Sequence, residues 1–557
     1  MRVPPLNALG WRAIVAALVV AAWWPVAARQ PTAPDDPTLL VLIVVDQMRA
    51  EYLTRYSARW TGGLRRLLNE GARYEQAFYP YLNTVTCVGH ATLGTGAWPK
   101  THGIILNQWY RRDEGQTRSC SADPSVRPVV YGGTSSGEGH GPAQLRVPTL
   151  AERLRARWPA SRSVSMSIKP RSAVMMAGRG ATAVTWVGNG QWQSSTAYAA
   201  APLPSIERSV GRHPIDAERQ AVWERSREAP SYLGADDGRG ERPQFGWTTH
   251  FPHPLAPPGA TTADFHELWE ASPFSDDRLG AIAVDAIDDF QLGQRGVVDF
   301  LGVSFSATDL VGHDFGPDSH EVQDTLARLD RTLGTVLAAL DSKVGRARYA
   351  LVLSADHGVA RVPEAAAAAG LSAGRVPLGA VRATVDRALS ARGAAPHVAR
   401  AEYTEVYFTD AARAQVTSAR VAPALRALRA LPGIAAAVWT PDLAGDTDAP
   451  AELLAAMRAG HVPGRSGDIT IMPAPNWILV PGTDPAGGDA TTHGSPHVYD
   501  QHVPLVFLGA AFAPGRYQVP ASPADAAPTL AATVGLSFTG VEGRPLTASA
   551  RPPRPSK

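Results

Sequence analysis

The sequence predicts an α/β fold, a doubly wound, mostly parallel sheet flanked by helices, with two inserted cap segments. Apolar segments at 38–45, 297–306 and 348–354 are rich in β-branched residues, as strands buried on both faces of a parallel sheet are. Between the last two, apolar residues recur at three- and four-residue spacing over 322–340, which predicts an amphipathic helix. This β-α-β alternation is typical of a parallel sheet with helices on its faces.

Each of these three predicted strands ends at or near an aspartate. A further segment at 163–168 alternates polar and apolar residues, and a run at 503–508 predicts another core strand. Ligands bind beyond the carboxyl ends of parallel strands, so the three carboxylates are expected to lie together at one sheet edge. The junctions are 38–45 with Asp46, 163–168 with Lys169, 297–306 with Asp309 and 348–354 with Asp356.

Two stretches interrupt the alternation of strands and helices. Residues 178–275 are rich in Trp, Pro and Gly, and residues 361–467 are rich in Ala and Arg. Both are predicted to be insertions that cap the sheet edge within one catalytic domain over 38–545. The second is expected to form a small α/β subdomain, and residues 546–557 are expected to form a disordered tail. Its predicted elements are a strand at 401–408, a helix at 421–431 and a strand at 434–439.

Length and composition exclude several classes of protein. A chain of 557 residues has room for a large α/β core with insertions. Its 53 Lys and Arg nearly balance 51 Asp and Glu, so binding to nucleic acid is not expected. The two cysteines, Cys87 and Cys120, are too few for a disulfide scaffold or a four-cysteine zinc site. The sequence leaves open whether they pair with each other.

The N-terminal residues have the pattern of an export signal. Arg2 and Arg12 precede an eleven-residue apolar run at 14–24, and small residues follow up to position 28. This pattern predicts a cleaved signal peptide over 1–28, because a membrane span needs about 20 apolar residues. The alternative is an uncleaved anchor. The mature protein is expected to be exported, periplasmic or secreted, and to have no stable membrane partner.

Three carboxylates and three imidazoles stand at or near the predicted strand ends. Mixed Asp and His ligation without cysteine suits zinc. The i,i+4 spacing of Asp309 and His313 places both on one face if a helix begins there. A solvated Asp-His turn is the alternative for any single pair, but joint placement at one sheet edge favours a metal site. The candidate ligands are Asp46, Asp309, His313, Asp356, His357 and His493.

Thr86 is the candidate nucleophile. It lies in NTVTCVGHATLGTG, where a loop enters a Thr-, Ala- and Gly-rich run and predicts a helix N-terminus. The helix dipole favours an alkoxide or a bound anion there, and a nearby metal ion would acidify the hydroxyl further. The alternative for a lone Thr is a simple helix cap.

Lys169 and Arg171 flank Pro170, which biases Lys169 toward the extended conformation. Residues i and i+2 of an extended segment point the same way, so both cations are expected to converge on one spot. A planar guanidinium and a point-charge ammonium both suit phosphate oxygens. A solvated surface pair is the alternative.

Together these segments resemble the alkaline phosphatase superfamily. Within it they resemble the PafA-like bacterial alkaline phosphatases with a Thr nucleophile, which are related to type I phosphodiesterases and nucleotide pyrophosphatases. The matching segments occur in the order of the family and are interrupted by the two insertions. They are VVDQMRAEYL, NTVTCVGHATLGTG, PKTHGI, LNQWY, SIKPRSA, ATDLVGHDFGPDS, SADHG and HGSPHVYDQHVPLVFLG.

The resemblance implies an alkaline-phosphatase-like fold, two Zn²⁺ per chain and a role for each motif residue. Thr86 would be the nucleophile, and His502 would support the site from outside the ligand set. One zinc ion would be held by Asp309, His313 and His493. The other would be held by Asp46, Asp356, His357 and the Thr86 oxygen. The phosphoryl oxygens of the substrate would be bound by Asn107, Lys169 and Arg171.

The resemblance also implies an exported, zinc-dependent alkaline phosphatase, a phosphoric monoester hydrolase acting on small-molecule phosphate esters. It would work through a phospho-threonine intermediate and show weaker diesterase activity, because Lys169 and Arg171 favour a monoester dianion. The alternative within the superfamily is a phosphodiesterase or nucleotide pyrophosphatase. A sulfatase is disfavoured because Cys87 is not followed by the Pro and Arg of a C-x-P-x-R pattern. A metal-binding protein with vestigial catalytic residues is disfavoured because every residue that the mechanism needs, including Thr86, is present. The protein is expected to be a monomer.

Overall fold

The computed structural model describes residues 36–133, 137–390, 396–445 and 449–551. The signal peptide predicted over 1–28 lies outside these ranges. Within them, every helix is too short or too polar to cross a lipid bilayer.

The described residues form strands that belong to five sheets. In chain order the strands are β1 Leu39–Val45, β2 Ala72–Ala77, β3 Gln108–Arg111, β4 Gln116–Ser119, β5 Pro128–Val130, β6 Ser163–Ser167, β7 Ala183–Gly188, β8 Gln191–Ser195, β9 Val222–Trp223, β10 His253–Pro254, β11 Asp299–Phe305, β12 Tyr349–Ser354, β13 Gly374–Pro377, β14 Val398–Glu402, β15 Glu405–Phe408, β16 Ile434–Trp439, β17 Ile469–Pro473, β18 Trp477–Val480, β19 Leu505–Gly509 and β20 Gly515–Ala521.

Helices cover both faces of the largest sheet and recur in the insertions. In chain order the α-helices are α1 Tyr52–Arg55, α2 Gly63–Glu70, α3 Thr86–Thr95, α4 Pro99–His102, α5 Leu150–Arg157, α6 Pro170–Ala177, α7 Pro204–Arg212, α8 Thr262–Glu270, α9 Pro273–Asp289, α10 Ala307–Phe315, α11 His320–Leu340, α12 Pro363–Ala368, α13 Leu378–Leu389, α14 Asp410–Arg413, α15 Ser418–Arg429, α16 Ala451–Gly460, α17 Val498–Gln501 and α18 Ala526–Ala532.

The largest sheet has ten strands in the order β20-β2-β19-β12-β1-β11-β6-β7-β8-β5. Its central strands β12, β1, β11, β6 and β7 are all parallel, whereas β19 runs antiparallel to β12. The predicted mostly parallel α/β sheet is therefore confirmed. The predicted strands at 38–45, 297–306 and 348–354 correspond to β1, β11 and β12, and the run at 503–508 corresponds to β19.

The core lies on both faces of this sheet, because all seven residues of β1 are buried. Leu39, Val41 and Ile43 join an apolar cluster with residues of α11, the helix predicted over 322–340. Leu40, Leu42 and Val44 point the other way, into a second cluster. Each such buried side chain contributes about 1.5–3 kcal/mol, which explains why a continuous apolar run becomes a central strand.

The first predicted insertion, 178–275, is not wholly outside the sheet. Its first part contains β7, which pairs with β6, and β8, which pairs with β7. The Trp-rich composition of this segment led to the prediction of a cap. In the structure, Trp186 and Trp192 pack into the core instead. The rest of the segment contains short helices and the β9–β10 pair.

Strands β14, β15 and β16 of the second insertion form a four-stranded sheet with β17, in the order β14-β15-β17-β16. Because β17 follows residue 467, this small sheet extends beyond the predicted end of the insertion. The strand predicted over 401–408 is instead the hairpin of β14 and β15, whose turn places Tyr403 in the left-handed conformation at a φ of 51°. Strands β15 and β16 both pair antiparallel with β17, which lies between them. The helix predicted over 421–431 corresponds to α15.

The prediction of a disordered tail over 546–557 is wrong for its first part. Leu546 and Ser549 are buried, and the hydroxyls of Ser549 and Tyr74 lie 2.9 Å apart. Ala550 forms a bridge with Phe512 beyond β19. This segment packs on the second face of the sheet, an interaction between distant residues that its composition does not reveal. Residues 552–557 lie outside the described ranges.

Candidate active site

The carboxyl edge of the parallel strands brings the predicted metal ligands together. Within the described residues, His and acidic side chains form two groups whose ligand atoms lie within 4.8 Å of one another. The imidazole Nε2 atoms face inward: His313 Nε2 is 3.4 Å from Asp309 Oδ1, and His357 Nε2 is 3.3 Å from Asp356 Oδ2. One group is Asp309, His313 and His493, and the other is Asp46, Asp356 and His357.

Backbone carbonyls orient the three imidazole rings. The Nδ1 atom of His313 donates to Thr491 O at 2.9 Å, and Nδ1 of His357 donates to Gly358 O at 2.9 Å. His493 Nδ1 makes the same kind of bond to the carbonyl of Thr84, at 3.0 Å. A carbonyl can only accept, so each Nδ1 carries a proton and each Nε2 is the atom left to bind a metal ion. Against the effect of burial, the Asp309 carboxylate raises the pKa of His313 to about 9, so metal binding there would displace a proton from Nε2.

The charges of the two groups fit divalent cations. Burial and the neighbouring Asp46 carboxylate raise the pKa of Asp356 well above its usual range. Asp46 Oδ1 and Asp356 Oδ2 are buried without a hydrogen-bond partner in the described structure. Burial lowers the pKa of His357 to about 3, so its ring is neutral at pH 7, the form that binds metal. Two buried, unpartnered carboxylate oxygens beside a neutral imidazole are a donor set suited to zinc.

Thr86 is the first residue of α3, directly after the extended residue Val85. Its side chain is buried, and its Oγ1 lies 3.5 Å from Nε2 of His357. The amides of the first helical turn and the dipole of α3 stabilise negative charge at this position. The hydroxyl of Thr86 therefore lies beside the second metal-ligand group.

Asn107 lies next to Thr86 with a defined side-chain orientation. The N–H of Cys87 donates to Asn107 Oδ1 at 2.7 Å, and the N–H of Cys120 donates to Asn107 O at 2.8 Å. Cys87 and Cys120 are joined by a disulfide, which resolves the question that the sequence left open. Because Oδ1 accepts from α3, the side-chain amide of Asn107 is left to donate elsewhere.

Lys169 lies between the two metal-ligand groups. Its Nζ is 2.6 Å from Asp46 Oδ2 and also contacts Asp309 Oδ2. Burial disfavours the ammonium, but Asp309 and Asp46 outweigh burial and raise the pKa of Lys169. Lys169 is therefore positively charged at neutral pH, at the junction of the two groups.

Arg171 lies near enough to Lys169 to repel its ammonium, but its backbone does not have the conformation that the sequence predicted. Lys169 is extended, at a φ of −97° and ψ of 127°, but Pro170 starts α6 and Arg171 is helical. The argument from side chains alternating along one extended segment is therefore wrong. Arg171 Nε is buried without a hydrogen-bond partner in the described structure.

Gln47 was missed by sequence reasoning although it links both groups. Its backbone N–H donates to Asp356 Oδ1 at 3.1 Å, and its side-chain Nε2 donates to Asp309 Oδ1 at 2.8 Å. The signal was weak, because a lone Gln after a strand has no characteristic spacing. Only the adjacent position of Asp46 indicates it.

His502 does not support the metal groups as the resemblance implied. Its Nε2 donates to the carbonyl of Glu75 at 2.9 Å, and its ring stacks on Phe78 with centroids 4.4 Å apart. The turn of α17 directs it toward β2.

Comparisons with known proteins agree with this geometry. A profile of the family described as type I phosphodiesterase / nucleotide pyrophosphatase matches residues 40–498. The alkaline phosphatase PafA of Elizabethkingia meningoseptica is 30% identical over 544 residues, 93% of this chain and 96% of that protein. A Myroides odoratus protein named calcium-transporting ATPase is 32% identical over 531 residues, covering 92% and 94%. The crystal structure of wild-type PafA gives a TM-score of 0.85 at 30% identity, covering 93% of this chain and 100% of that one.

The fold and the site define a phosphoesterase with candidate metal-binding groups. The chain belongs to the type I phosphodiesterase / nucleotide pyrophosphatase family and is a PafA-like member of the alkaline phosphatase superfamily.

Proposed function

We propose that the protein is an exported, zinc-dependent alkaline phosphatase that hydrolyses small-molecule phosphate monoesters, with weaker activity on diesters. The observation that carries this proposal is the position of Thr86, whose Oγ1 lies 3.5 Å from His357 Nε2 at the start of a buried helix. The names of the PafA relative and of the alkaline phosphatase PhoV of Synechococcus elongatus, 32% identical over 534 residues, support the same activity. Export is supported by the pattern at 1–28 alone.

In this proposal the protein supplies a nucleophile and a set of cations around one phosphoryl group. Two divalent cations held by the two groups would neutralise the attacking and leaving oxygens of an in-line displacement. The Thr86 hydroxyl gives up its proton to solvent and Oγ forms a bond to phosphorus, while the bond from phosphorus to the ester oxygen breaks and the leaving alkoxide takes up a proton from solvent. Water then attacks the phosphorus, the bond from phosphorus to Thr86 Oγ breaks, and inorganic phosphate leaves as Oγ regains a proton. Asn107, Lys169 and Arg171 bind the non-bridging oxygens by positioning and charge.

The second candidate is a phosphodiesterase or nucleotide pyrophosphatase, which the description of the matching family favours. It would use the same nucleophile and metal groups. The two candidates differ in the charge of the transferred group, because a monoester dianion has three non-bridging oxygens and a diester monoanion has two.

The decisive experiment compares hydrolysis of a monoester and a matched diester by the wild-type protein and by Thr86→Ala, with the metal content of each sample. We expect two zinc ions per chain, a monoester preference, and a loss of at least about 1000-fold in kcat for Thr86→Ala. The exposed Thr54, replaced by Ala, is the control and should keep wild-type rates. Preference for the diester would support the second candidate, and full activity of Thr86→Ala would exclude Thr86 as the nucleophile.

A further inference from the structure

The turn between β14 and β15 is the part of the second insertion that contacts the candidate active site. Tyr403 and Thr404 form this turn, about 300 residues along the chain from Thr86. Strand β17 anchors it, because the N–H of Ile471 donates to Thr404 O at 2.8 Å. Both turn residues contact segments that contain candidate active-site residues.

Tyr403 contacts the segment of the candidate metal ligand His493. Its hydroxyl donates to the backbone carbonyl of His493. Its ring also occupies the space beside Gly494, where a Cβ would lie 2.6 Å from the Tyr403 ring. Gly494 has a φ of 107°, a conformation that favours glycine, so the chain bends around the tyrosine at this point.

His493 is therefore held from two sides. Thr84 accepts a hydrogen bond from the Nδ1 atom of the ring, and Tyr403 donates to the backbone carbonyl of the same residue. The ring orientation comes from the segment before the nucleophile, whereas the backbone position comes from the second insertion. Nε2 of His493 is directed to Asp309 Oδ1, at 3.5 Å.

Thr404 contacts the segment that leads into the candidate nucleophile. Its Oγ1 donates to Asn83 Oδ1 at 2.7 Å, and the side chain of Thr404 is completely buried. The amide nitrogen of Asn83 donates in turn to Ile105 O at 3.2 Å. Asn83 lies three residues before Thr86, so this bond ties the entry of α3 to the insertion.

We propose that Tyr403 and Thr404 are positioning residues that make the second insertion a working part of the active site. Tyr403 holds His493 in place for the metal group of Asp309, His313 and His493. Thr404 holds the segment from Asn83 to Thr86, in which the carbonyl of Thr84 accepts from His493 and Thr86 lies beside His357. The role of Tyr403 is in metal binding, and the role of Thr404 in catalysis rests on the proposed phosphatase function.

The metal-binding half is tested with Tyr403→Phe, which removes only the hydroxyl. Zinc affinity is measured by titrating the metal-free protein against a chromogenic chelator. Loss of a hydrogen bond outside the ligand set typically weakens metal binding 10- to 100-fold, and we expect a loss of this size for one of the two ions. Unchanged affinity for both ions would overturn this half of the proposal.

Tyr407 offers a matched control in the same hairpin. It is also buried, and its hydroxyl donates to the carbonyl of Arg465 at 2.9 Å, away from the metal groups. Tyr407→Phe should bind both zinc ions with wild-type affinity. Equal weakening in both variants would show that any lost hydroxyl in the hairpin acts through stability, and would overturn the assignment to Tyr403.

The second half is tested with Thr404→Val, which keeps the shape of the side chain and removes the hydroxyl. We expect wild-type zinc content, an unchanged KM for a monoester and a kcat lowered about 10-fold, and we expect Thr404→Ser to restore kcat. An unchanged kcat in Thr404→Val would overturn this half. If the wild-type protein hydrolyses no phosphate ester, the proposed function fails while the zinc titrations of Tyr403→Phe still decide the first half.

Discussion

At the scale of single residues, Gln47 shows how the site stores backbone strain. Its φ of 67° lies in the left-handed region, which costs a non-glycine residue about 1–2 kcal/mol. Its amide and side chain bond to Asp356 and Asp309, and hydrogen bonds to charged groups contribute about 1.5–3 kcal/mol each. The two bonds offset the strain and hold one carboxylate of each metal-ligand group in place.

Lys169 and Arg171 decide the preferred substrate charge in the proposed mechanism. Charge-assisted hydrogen bonds contribute about 1.5–3 kcal/mol each, and a monoester dianion offers one more oxygen and one more charge than a diester. We predict that Arg171→Ala lowers monoester kcat/KM about 10- to 100-fold and diester kcat/KM less than about 5-fold. The Lys169→Ala, Arg171→Ala double variant should widen this difference.

Metal content must be measured on the same samples, because Lys169 also contacts two candidate metal ligands. Arg171→Ala is the cleaner variant for this reason. Equal losses on both substrates at full zinc content would contradict the proposed role of the two cations and would favour the diesterase candidate.

At the scale of elements, helix α3 approaches the end of β12 too closely for a side chain. A Cβ on Gly89 would lie 2.1 Å from the carbonyl oxygen of Asp356. His90 follows on the same helix, with its Nδ1 donating to Thr86 O at 2.8 Å. This close packing brings Thr86 to the strand end that carries His357.

The Cys87–Cys120 disulfide links α3 to the end of β4 around Asn107. The two cysteines are 33 residues apart, and a loop of that length corresponds to about 3–4 kcal/mol of stabilisation in the chain-entropy model. We predict that reduction lowers the free energy of unfolding by about this amount and lowers monoester kcat several-fold, because Asn107 gains freedom. Denaturant unfolding and steady-state rates check both effects.

The reductant is a phosphine, and the control is the Cys87→Ala, Cys120→Ala double variant treated in the same way. Its stability and rate should not respond to reductant, which separates disulfide cleavage from loss of zinc. A wild-type protein whose kcat survives complete reduction would exclude a positioning role for the disulfide.

At the scale of the whole molecule, both insertions hold the segment that leads to His493. Arg242 donates to the carbonyls of Ala486, Gly487 and Gly488 at 2.8–3.0 Å. Arg375, from the second insertion, donates to the carbonyls at 489 and 490 at 2.6–2.7 Å. Both insertions therefore restrain the segment that leads to the candidate ligand His493.

Metal binding should also stabilise the whole fold, because Asp46, Asp309 and Asp356 are buried close together. A ligand at 1000 times its Kd stabilises the folded state by about 4 kcal/mol per site. We predict that chelation lowers Tm by about 5–15 °C and that added zinc restores it, as measured by calorimetry. Metal-free Asp356→Asn should unfold at a higher temperature than metal-free wild type, because burial and the neighbouring Asp46 disfavour the carboxylate of Asp356 and an amide carries no such penalty. Identical Tm values with and without metal would contradict the prediction.

Much of the fold and most of the candidate site could be predicted from local sequence. The parallel strands could be predicted because a strand that is buried on both faces has a continuous apolar run, as in β1. Asp46, Asp309 and Asp356 were readable because they stand at or just after strand ends, where parallel sheets bind ligands. The strands β7 and β8 were not predicted, because the Trp-, Pro- and Gly-rich composition of the segment around them indicated an insertion. The buried residues Leu546 and Ser549 were not predicted either, since Ser549 contacts Tyr74, which is distant in the chain.

The sequence by itself determined the residue types and the edge of the sheet at which they meet. Spacing along the chain encodes strand ends, helix starts and the ligand pairs within one element. Only the tertiary structure decided which distant residues hold them: Gln47 between the two groups, Tyr403 against His493, and Cys87 paired with Cys120. These contacts join residues far apart in sequence, and a contact of that kind depends on how whole elements pack rather than on any local pattern.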